Sequence, residues 1–326
     1  PLTPGFVPAQ TPERFMTTAR NLALGIDIGG TKMALAIVER SGNIVAREQI
    51  PTEAAQGFGR AVERLLAAAH RLLGQANAHH GELAGIGIGC AGPLNPARGT
   101  IHNPYTLEGW DNCDIVSPLR AELGVETRLE NDADVAALAE WHVGTGRGCS
   151  PLVMLTFGTG VGGAVLLDGQ FYRGCAGEHP EIGHIPTDPA GEQCYCGARG
   201  CLELLAAGPA IHKAALAAGL PDGRTALVRA AAGDPQAVII RDHVLAAVAQ
   251  ATWIILHTFL PQRIILGGGL MDEHYDLFAP VVQRTIASAE FLRRCHISVA
   301  KAALGNTAGV VGAAALAWQP RARHQV

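Results

Sequence analysis

Residues 181–203 read EIGHIPTDPAGEQCYCGARGCLE and hold one histidine and three cysteines within a short loop. The spacing H-x9-C-x-C-x4-C is typical of a zinc shell of one imidazole and three thiolates, and a shell with no open position is the structural kind of zinc site. The loop is rich in Gly and Pro and has almost no apolar side chains, so burial alone cannot fold it, whereas metal binding can. The predicted zinc ligands are His184, Cys194, Cys196 and Cys201.

The same residues allow two other interpretations, which are two disulfides, or unrelated buried thiols beside a surface histidine. Disulfides are disfavoured because the three cysteines are an odd number and a Cys-x-Cys pair is poorly placed to bridge to itself. The spacing, together with the family resemblance given below, favours structural Zn²⁺.

Two glutamates flank the predicted ligands. Glu181 lies one helical turn before His184, and Glu203 lies two residues after Cys201. A metal that fixes His184 and Cys201 also fixes the origin of both carboxylates. We therefore expect these side chains to form a rigid polar set of the kind that binds a polyol.

Composition limits the function classes. The chain has 326 residues, of which 48% are hydrophobic, and a formal charge of −4. This length suits one large domain or two ordinary ones, and the slight acidity without a basic run argues against nucleic acid as the main partner. The apolar segments are short and broken by Gly or charge, which predicts no membrane span. Scattered cysteines, among them Cys90, Cys113, Cys149 and Cys295, suit the reducing cytoplasm.

A strand, a Gly-Thr turn and a second strand occur twice in the chain. The first copy is LALGIDI at 22–28, GGTK at 29–32 and a strand at 33–38, and the second is 152–157, GTG at 158–160 and 161–167. Either turn alone is compatible with a plain glycine hairpin. Their repetition predicts two related α/β domains that face each other across a cleft, each with a hairpin whose backbone N–H groups cradle phosphate.

Other nucleotide-binding motifs are excluded. Gly158, Gly160 and Gly163 satisfy G-x-G-x-x-G, but a dinucleotide fold needs a helix where this chain has the strand-like sequence AVLLDGQ. No Walker motif occurs. Asp27, beside the first hairpin turn, is placed to reach a metal ion through water.

Two further polar segments leave alternatives open. A strand at 125–130 runs into Asn131 and Asp132 at the start of a helix, where these residue types are common N-caps but where ligands of open α/β sheets also collect. In the irregular segment that follows Gly99, Asn103 and Trp110 either line a ligand cleft or cap a turn and fill a core.

The last third of the chain is mainly helical in pattern. A buried strand at 263–266 ends in Gly267, Gly268 and Gly269, and three glycines permit close approach of a flat group such as adenine. The remaining predicted elements are helices at 202–207, 209–218, 225–232, 235–259, 275–289 and 307–318 and a strand at 296–300.

Six motifs together resemble one family. They are DIGGTK at 27–32, LENDAD at 129–134, FGTGVGG at 157–163, EIGH at 181–184, CYCGARGCLE at 194–203 and LGGG at 266–269. This set resembles the ROK family of bacterial sugar kinases and repressors, from about Leu22 to Trp318. The resemblance implies an actin/hexokinase-like ATPase fold of class α/β, with two α/β domains around a cleft and a zinc-binding loop.

The resemblance also implies residue roles. Asp132 matches the catalytic base, and the metal set matches structural Zn²⁺ ligands. The sugar-binding set is Asn103, Asn131, Asp132, Glu181, His184 and Glu203. The implied residues for ATP and Mg²⁺ are Asp27, Gly29, Gly30, Thr31, Lys32, Gly158, Thr159, Gly160, Val161, Gly162, Gly267, Gly268 and Gly269. A cytoplasmic homo-oligomer, dimer or tetramer, is expected.

The expected domain division is a flexible tail at 1–21, an N-terminal domain at 22–131 onto which the helix 307–318 packs back, and a C-terminal domain at 132–306 that includes the zinc loop 184–201. About twenty residues precede the first strand, fewer than the DNA-binding domain of the family's repressors, so a repressor or sugar sensor is the less favoured function.

Two departures from the family pattern stand out. Asp134 replaces a common Asn, which we expect to matter little, and the segment CAGEHPEIGH is longer than usual and similar to fructokinase-like members. The predicted activity is ATP-dependent phosphorylation of the 6-hydroxyl of glucose, with N-acetylglucosamine, N-acetylmannosamine and fructose as alternative substrates.

Overall fold

The computed structural model describes residues 20–320. The strands are β1 (Leu22–Ile28), β2 (Lys32–Glu39), β3 (Ile44–Pro51), β4 (Leu83–Cys90), β5 (Leu94–Asn95), β6 (Thr100–Ile101), β7 (Cys113–Asp114), β8 (Thr127–Asn131), β9 (Leu152–Phe157), β10 (Val161–Leu167), β11 (Gln170–Phe171), β12 (Arg263–Gly267) and β13 (Ser298–Lys301). The helices are α1 (Phe58–Gln75), α2 (Val116–Leu123), α3 (Asp132–His142), α4 (Leu202–Ala206), α5 (Gly208–Ala217), α6 (Gly223–Ala231), α7 (Pro235–Phe259), α8 (Gly269–Ser288) and α9 (Ala308–Ala315).

Two five-stranded sheets share one topology. The strand order is β3-β2-β1-β4-β8 in the first sheet and β11-β10-β9-β12-β13 in the second. In each sheet an antiparallel hairpin, β1-β2 or β9-β10, continues into two parallel strands. The repeated strand-turn-strand pattern of the sequence therefore corresponds to a repeated sheet.

The first sheet is asymmetric because side chains alternate along its strands. Large residues of β1 and β2, such as Leu24, Ile26 and Leu35, form one core with α1 and α2. Small residues on the opposite face, such as Ala23 and Ala36, pack with α9 and the end of α3. The alternation of large and small residues thus determines which helices cover each face.

Helix α9 lies very close to this second face. A Cβ atom added at Gly87 of β4 would lie 1.7 Å from the carbonyl oxygen of Ala313, and one added at Gly25 of β1 would lie 1.9 Å from that of Val310. A Cβ atom added at Gly312 of α9 would lie 1.7 Å from the carbonyl oxygen of Val135 in α3. Glycine is therefore required at three points where backbones meet.

The second sheet carries large buried side chains on both of its faces. Val153, Leu155 and Phe157 of β9 pack with α4 to α8, whereas Leu152 and Met154 face α3. Since α3 also packs against α9, the two helices lie between the sheets. The layers therefore run from α1 and α2 through the first sheet, the α3-α9 pair and the second sheet to α4–α8.

Helix α7 is long and apolar enough, by length and composition, to span a membrane, although the sequence pattern predicts no such segment. Its buried residues recur at helical spacing, from Ala237 through Ile240 and Val244 to Leu256, and they belong to the main core of the second half. Asp234 caps its N-terminus by accepting the N–H groups of Gln236 and Ala237. One face of α7 therefore belongs to the core of the second half.

Several predicted boundaries need correction. The helix predicted to begin at 275 begins at Gly269, because the glycine segment turns directly into α8. Helix α2 and the short strands β5 to β7 were not predicted from the sequence. Trp110, for which two roles were open, is fully buried and packs edge-on against Phe58, with ring centroids 5.4 Å apart.

The predicted tail falls mostly outside the described residues, which begin at Arg20. Arg20 Nη1 donates to the Leu83 carbonyl at 3.1 Å, and the Asn21 carbonyl accepts the Arg40 N–H at 2.8 Å. The predicted domain boundary between 131 and 132 falls where β8 ends and α3 begins. The two-domain division itself stays a prediction.

The close packing of α9 allows a prediction about the free energy of unfolding. Gly312→Ala puts a methyl group onto the Val135 carbonyl, so we expect the free energy of unfolding to fall by about 1–3 kcal/mol from overpacking. The matched control is Gly74→Ala in α1, where an added Cβ meets no atom within 4 Å. That variant should be neutral or more stable by ~0.5–1 kcal/mol. Urea unfolding of both proteins checks the difference, and equal stabilities would contradict the packing.

Candidate functional site

The predicted zinc ligands come together in the loop between β11 and α4. One donor atom from each of His184, Cys194, Cys196 and Cys201 lies within 4.8 Å of every other. His184 Nδ1 is 3.5 Å from the Cys194 sulfur, and the Cys196 and Cys201 sulfurs are also 3.5 Å apart. A tetrahedron with Zn–S bonds of about 2.3 Å has donor atoms about 3.8 Å apart. The donor set and its spacing therefore fit Zn²⁺.

Backbone hydrogen bonds determine the shape of this loop. The Thr187 N–H donates to the Gly200 carbonyl at 2.8 Å, and the Cys194 N–H donates to the Ala198 carbonyl at 2.8 Å. Gly200 has φ of +58°, and a Cβ there would lie 1.8 Å from the Asp188 carbonyl. The glycines of the motif are therefore needed for the loop to fold back on itself and bring the cysteines to the histidine.

Glu203, in the first turn of α4, connects this loop to the second hairpin. Its Oε2 accepts the Val161 N–H at 3.0 Å, and its Oε1 accepts the Tyr195 hydroxyl at 3.1 Å. The Tyr195 oxygen is also 2.9 Å from His184 Nε2. One side of the site is thus a polar set of carboxylate, hydroxyl and imidazole beside the glycine turn 158–160.

Asn131 and Asp132 lie at the junction of β8 and α3. Asn131 Oδ1 accepts the Ala133 N–H at 2.8 Å, which is the N-cap role that the sequence left open. Asp132 is exposed to solvent, yet its pKa is raised above the usual range, mainly by loss of hydration among surrounding protein atoms and also by the charge of Glu181. A carboxylate with a raised pKa is a better base toward a hydroxyl group.

Asp27, the penultimate residue of β1, lies close enough to Asp132 for the two carboxyl groups to interact electrostatically. Burial and then the charge of Asp132 raise the pKa of Asp27 to about 6, while Lys32 and Arg47 oppose the rise. A divalent cation would favour the ionised form of this acid pair. Asp27 is therefore a suitable group to hold Mg²⁺, directly or through water.

Glu181 is oriented by residues that sequence reasoning did not assign to the site. His179 Nε2 is 3.2 Å from Glu181 Oε1, and the hydrogen bond from His179 holds the pKa of Glu181 below its usual range. Behind His179 lies Asp134, whose Oδ2 is 2.9 Å from Arg173 Nη2. Asp134, which we expected to matter little, is fully buried in this ion pair.

The two glycine hairpins present backbone donors at their tips. Gly29 N–H donates to the Lys32 carbonyl, and Gly158 N–H donates to the Gly160 carbonyl, so each turn is closed by its own backbone. Within residues 20–320, the N–H groups of Gly30, Thr31, Thr159 and Gly160 have no hydrogen-bond acceptor. These groups are available for an anion, whereas the Val161 N–H, also predicted to bind nucleotide, is used by Glu203.

A cavity of about 520 Å³ adjoins the second hairpin. Gly158 and Thr159 line one end, and Gly269 and Leu270 at the start of α8 line another. Apolar Ile211 and Leu227 alternate with polar lining residues, among them His212, Asp222 and Arg224. Its size and its mixed walls suit a nucleoside next to a phosphate-binding turn.

The glycines predicted to contact adenosine and the predicted sugar ligand Asn103 lie in different environments. Of the glycines expected at the adenosine turn, Gly269 lines the cavity, whereas Gly268 packs against Phe157 and a Cβ there would lie 2.4 Å from its carbonyl oxygen. Asn103 is buried, and its amide donates to the Ala91 carbonyl at 3.1 Å and to Thr106 Oγ1 at 2.7 Å. Both amide hydrogens of Asn103 are thus used by other groups of the protein, and its sugar contact stays a prediction.

Sequence reasoning missed Tyr195, His179 and Arg173 as members of the site. A usable signal existed for two of them, because Tyr195 lies between two predicted zinc ligands and His179 lies two residues before a predicted sugar ligand. Arg173 gives no such signal, since its contacts with Glu130 and Asp134 cross about 40 residues of sequence.

Comparison with known proteins places the chain among sugar kinases. It is 32% identical to a glucokinase of Streptomyces coelicolor over 321 residues, covering 92% of this chain and 98% of the relative. It is 34% identical to an N-acetylmannosamine kinase of Citrobacter koseri over 304 residues, covering 90% and 98%.

Solved structures show the same fold. The ROK hexokinase of Thermus thermophilus superposes with a TM-score of 0.81 at 33% identity, covering 91% of this chain and 98% of that one. A ROK family glucokinase of Streptomyces griseus in complex with glucose and AMPPNP gives 0.73 at 28% identity, covering 92% and 100%.

The family model described as the ROK family matches residues 23–320, which is nearly the whole of the described chain. The predicted hexokinase-like α/β fold is therefore confirmed, and the chain belongs to the ROK family.

Proposed function

We propose that the protein is an ATP-dependent sugar kinase that phosphorylates the 6-hydroxyl of a hexose, with glucose as the preferred substrate. The observation that carries this proposal is the double role of Glu203, which accepts the Val161 N–H of the second glycine hairpin through one oxygen and the Tyr195 hydroxyl through the other, the oxygen available to a sugar hydroxyl. A polyol-binding set thus adjoins a phosphate-binding turn. The glucokinases and N-acetylmannosamine kinases among the relatives support the same reaction.

Asp132 is proposed as the general base. It takes the proton of the primary hydroxyl as that oxygen attacks the γ-phosphorus, a contribution of ~10²–10⁴-fold in rate. Its position at the end of β8, with the Ala133 N–H donating to Oδ1 at 2.8 Å, fixes the carboxylate. Phosphoryl transfer otherwise depends on positioning and charge neutralisation rather than covalent help.

The nucleotide is proposed to lie along the second hairpin. The cavity of about 520 Å³ takes the nucleoside, and the N–H groups of both hairpin tips and Lys32 bind the phosphates. Asp27 would hold Mg²⁺, which when bound supplies positive charge to the phosphate oxygens.

Zinc is proposed to have a structural role. His184 would use Nδ1, the nitrogen that faces Cys194, and this leaves Nε2 protonated and directed at hydroxyl groups. The metal therefore stabilises the loop from which both His184 and Glu203 reach the sugar.

Sugar orientation follows from the two ends of the site. Glu181, His184 and Glu203 bind neighbouring hydroxyls at one end of a pyranose, so the primary hydroxyl lies at Asp132. This makes the 6-position the acceptor. N-acetylhexosamines follow glucose in the proposed order, with fructose third. We also propose a cytoplasmic homo-oligomer, dimer or tetramer, that binds sugar and ATP and has no nucleic-acid or membrane partner.

The role of Asp132 predicts the effect of Asp132→Asn. Turnover should fall at least ~10²-fold because the amide cannot accept the proton, while glucose affinity measured by calorimetry and zinc content remain near wild type. Asp168→Asn is the matched control, because Asp168 is exposed with φ of +51°, a conformation that Asn tolerates. If the Asp132→Asn variant kept most of the wild-type turnover, Asp132 would be only a helix cap and not the general base.

The zinc site predicts that Cys196→Ser loses the metal, lowers Tm and weakens glucose binding together. Cys295→Ser removes an exposed thiol outside the cluster and should change none of the three. Metal analysis by mass spectrometry, thermal unfolding and calorimetry provide the measurements. A wild-type protein purified without bound zinc, or Cys196→Ser with full zinc content, would contradict the site.

The polar set predicts sugar selectivity. Glucose analogues without a hydroxyl at the Glu181 end should lose more kcat/KM than analogues with a bulkier 2-substituent that still hydrogen-bonds, because a missing hydroxyl leaves polar groups unpaired that the bound sugar covers. ADP release across a sugar panel measures this. A clearly higher kcat/KM for N-acetylglucosamine, N-acetylmannosamine or fructose than for glucose would reverse the proposed order without affecting the kinase assignment.

A further inference from the structure

Tyr195 makes contacts that the proposed catalytic cycle does not use. Its hydroxyl oxygen lies 2.9 Å from His184 Nε2 and 3.1 Å from Glu203 Oε1. Its ring packs edge-on against the His184 imidazole, with centroids 4.8 Å apart and an interplanar angle of 87°. The side chain therefore bonds the same two residues that the proposed function assigns to the sugar.

The proposed zinc ligation gives these contacts a definite polarity. With Nδ1, the nitrogen that faces Cys194, bound to the metal, Nε2 of His184 carries the proton and donates to the Tyr195 oxygen. The Tyr195 hydroxyl then donates to the Glu203 carboxylate, which can only accept. A group between the two residues must accept from one side and donate to the other. Of the groups on a hexose, a hydroxyl meets this requirement.

We propose that Tyr195 is a built-in competitor for the sugar, whose phenol occupies the place of a substrate hydroxyl between His184 and Glu203 until the sugar displaces it. This inference rests on the proposed sugar kinase function and adds a residue that sets sugar affinity. The hydroxyl replaced belongs to the end of the pyranose remote from C6, which is the 1- or 2-hydroxyl.

The surroundings of Tyr195 allow the displacement. Its side chain is 72% exposed, so rotation exposes no core. The neighbouring Cys194 and Cys196 hold its backbone in the loop, so rotation about the side-chain bonds is sufficient. The ring centroid of Tyr105, from the loop after β6, lies 6.2 Å from that of Tyr195, and Tyr105 is itself 75% exposed. Within the described residues, Tyr105 and His184 are the aromatic side chains that contact the Tyr195 ring.

The energetic consequence is a reduced apparent affinity. In the closed state Tyr195 bonds His184 and Glu203, and in the open state it has moved away. If the sugar binds only the open state, its apparent dissociation constant equals the intrinsic constant divided by the fraction of molecules in the open state. Because Tyr195 is largely exposed and water competes for both hydrogen bonds, we take their combined net effect as about that of one ordinary hydrogen bond, which favours the closed state by a factor of about three to ten. Tyr195→Phe keeps the ring but loses the hydroxyl, and it should therefore bind glucose about three- to tenfold more tightly than wild type.

Calorimetric titration of glucose into the full-length, zinc-loaded protein without nucleotide tests this directly. Tyr172→Phe is the matched control, because Tyr172 is partly exposed, packs on Phe259 and has no hydroxyl hydrogen bond within residues 20–320. Its glucose affinity should equal wild type. An unchanged or weaker affinity in Tyr195→Phe would overturn the proposal, and damage to the loop cannot mimic a gain.

A second measurement observes the displacement in the wild-type sequence. The chain has four tyrosines, so protein labelled with 3-fluorotyrosine gives a ¹⁹F spectrum in which each signal is assigned from the corresponding Tyr→Phe variant. Saturating glucose should shift the Tyr195 signal more than those of Tyr172 and Tyr275. A Tyr195 signal that stays in place while glucose binds would contradict displacement.

The two levels of inference can fail separately. If glucose, N-acetylglucosamine, N-acetylmannosamine and fructose all fail to bind the wild-type protein, the proposed function and this inference are both wrong. If glucose binds and Tyr195→Phe shows no gain, the role of Tyr195 alone is wrong. Methyl glucoside, whose anomeric oxygen cannot donate, should gain less from Tyr195→Phe than glucose does if the 1-hydroxyl is the one that replaces the phenol.

Discussion

The hydrogen bond from the Val161 N–H to Glu203 Oε2, at 3.0 Å, joins the second glycine hairpin to the end of the loop that holds the Cys/His cluster. Val161 begins the strand after the second glycine turn, and Glu203 follows the last cysteine of the metal cluster. There is no room for a side chain at this joint, since a Cβ on Gly160 would lie 2.5 Å from the same carboxylate oxygen. The distance between the proposed sugar and phosphate sites is therefore set by one backbone donor and one carboxylate. Loss of the cluster would disturb both sites through this contact.

Features encoded in adjacent residues were predicted well. The strands Leu22–Ile28 and Val161–Leu167 and the helix Pro235–Phe259 have the predicted bounds, because periodicity and flanking turn residues are local signals. The four side chains predicted to ligate a metal also come together. Their short spacing leaves few other arrangements of the loop.

Features that depend on contacts between distant segments were not predicted. Asp134 was expected to matter little because a sequence gives no sign that Arg173, about 40 residues later, lies beside it. Gly267 to Gly269 suggested an open turn, yet β12 leads directly into α8 and Gly268 packs against Phe157. Tyr195 was given no role in the sequence analysis. Its contacts with His184 and Glu203 become visible only when the loop is folded.

The packing of α9 against β1 and β4 has a consequence for how the chain matures. This helix comes about 220 residues after Gly87, the strand position that it covers. At ~5–20 residues per second of synthesis, that separation amounts to roughly ten seconds or more. The small-residue face of the first sheet stays open throughout this time, so the N-terminal half cannot bury this face until α9 has been made. Chaperones that bind exposed sheet surface would have their longest opportunity there.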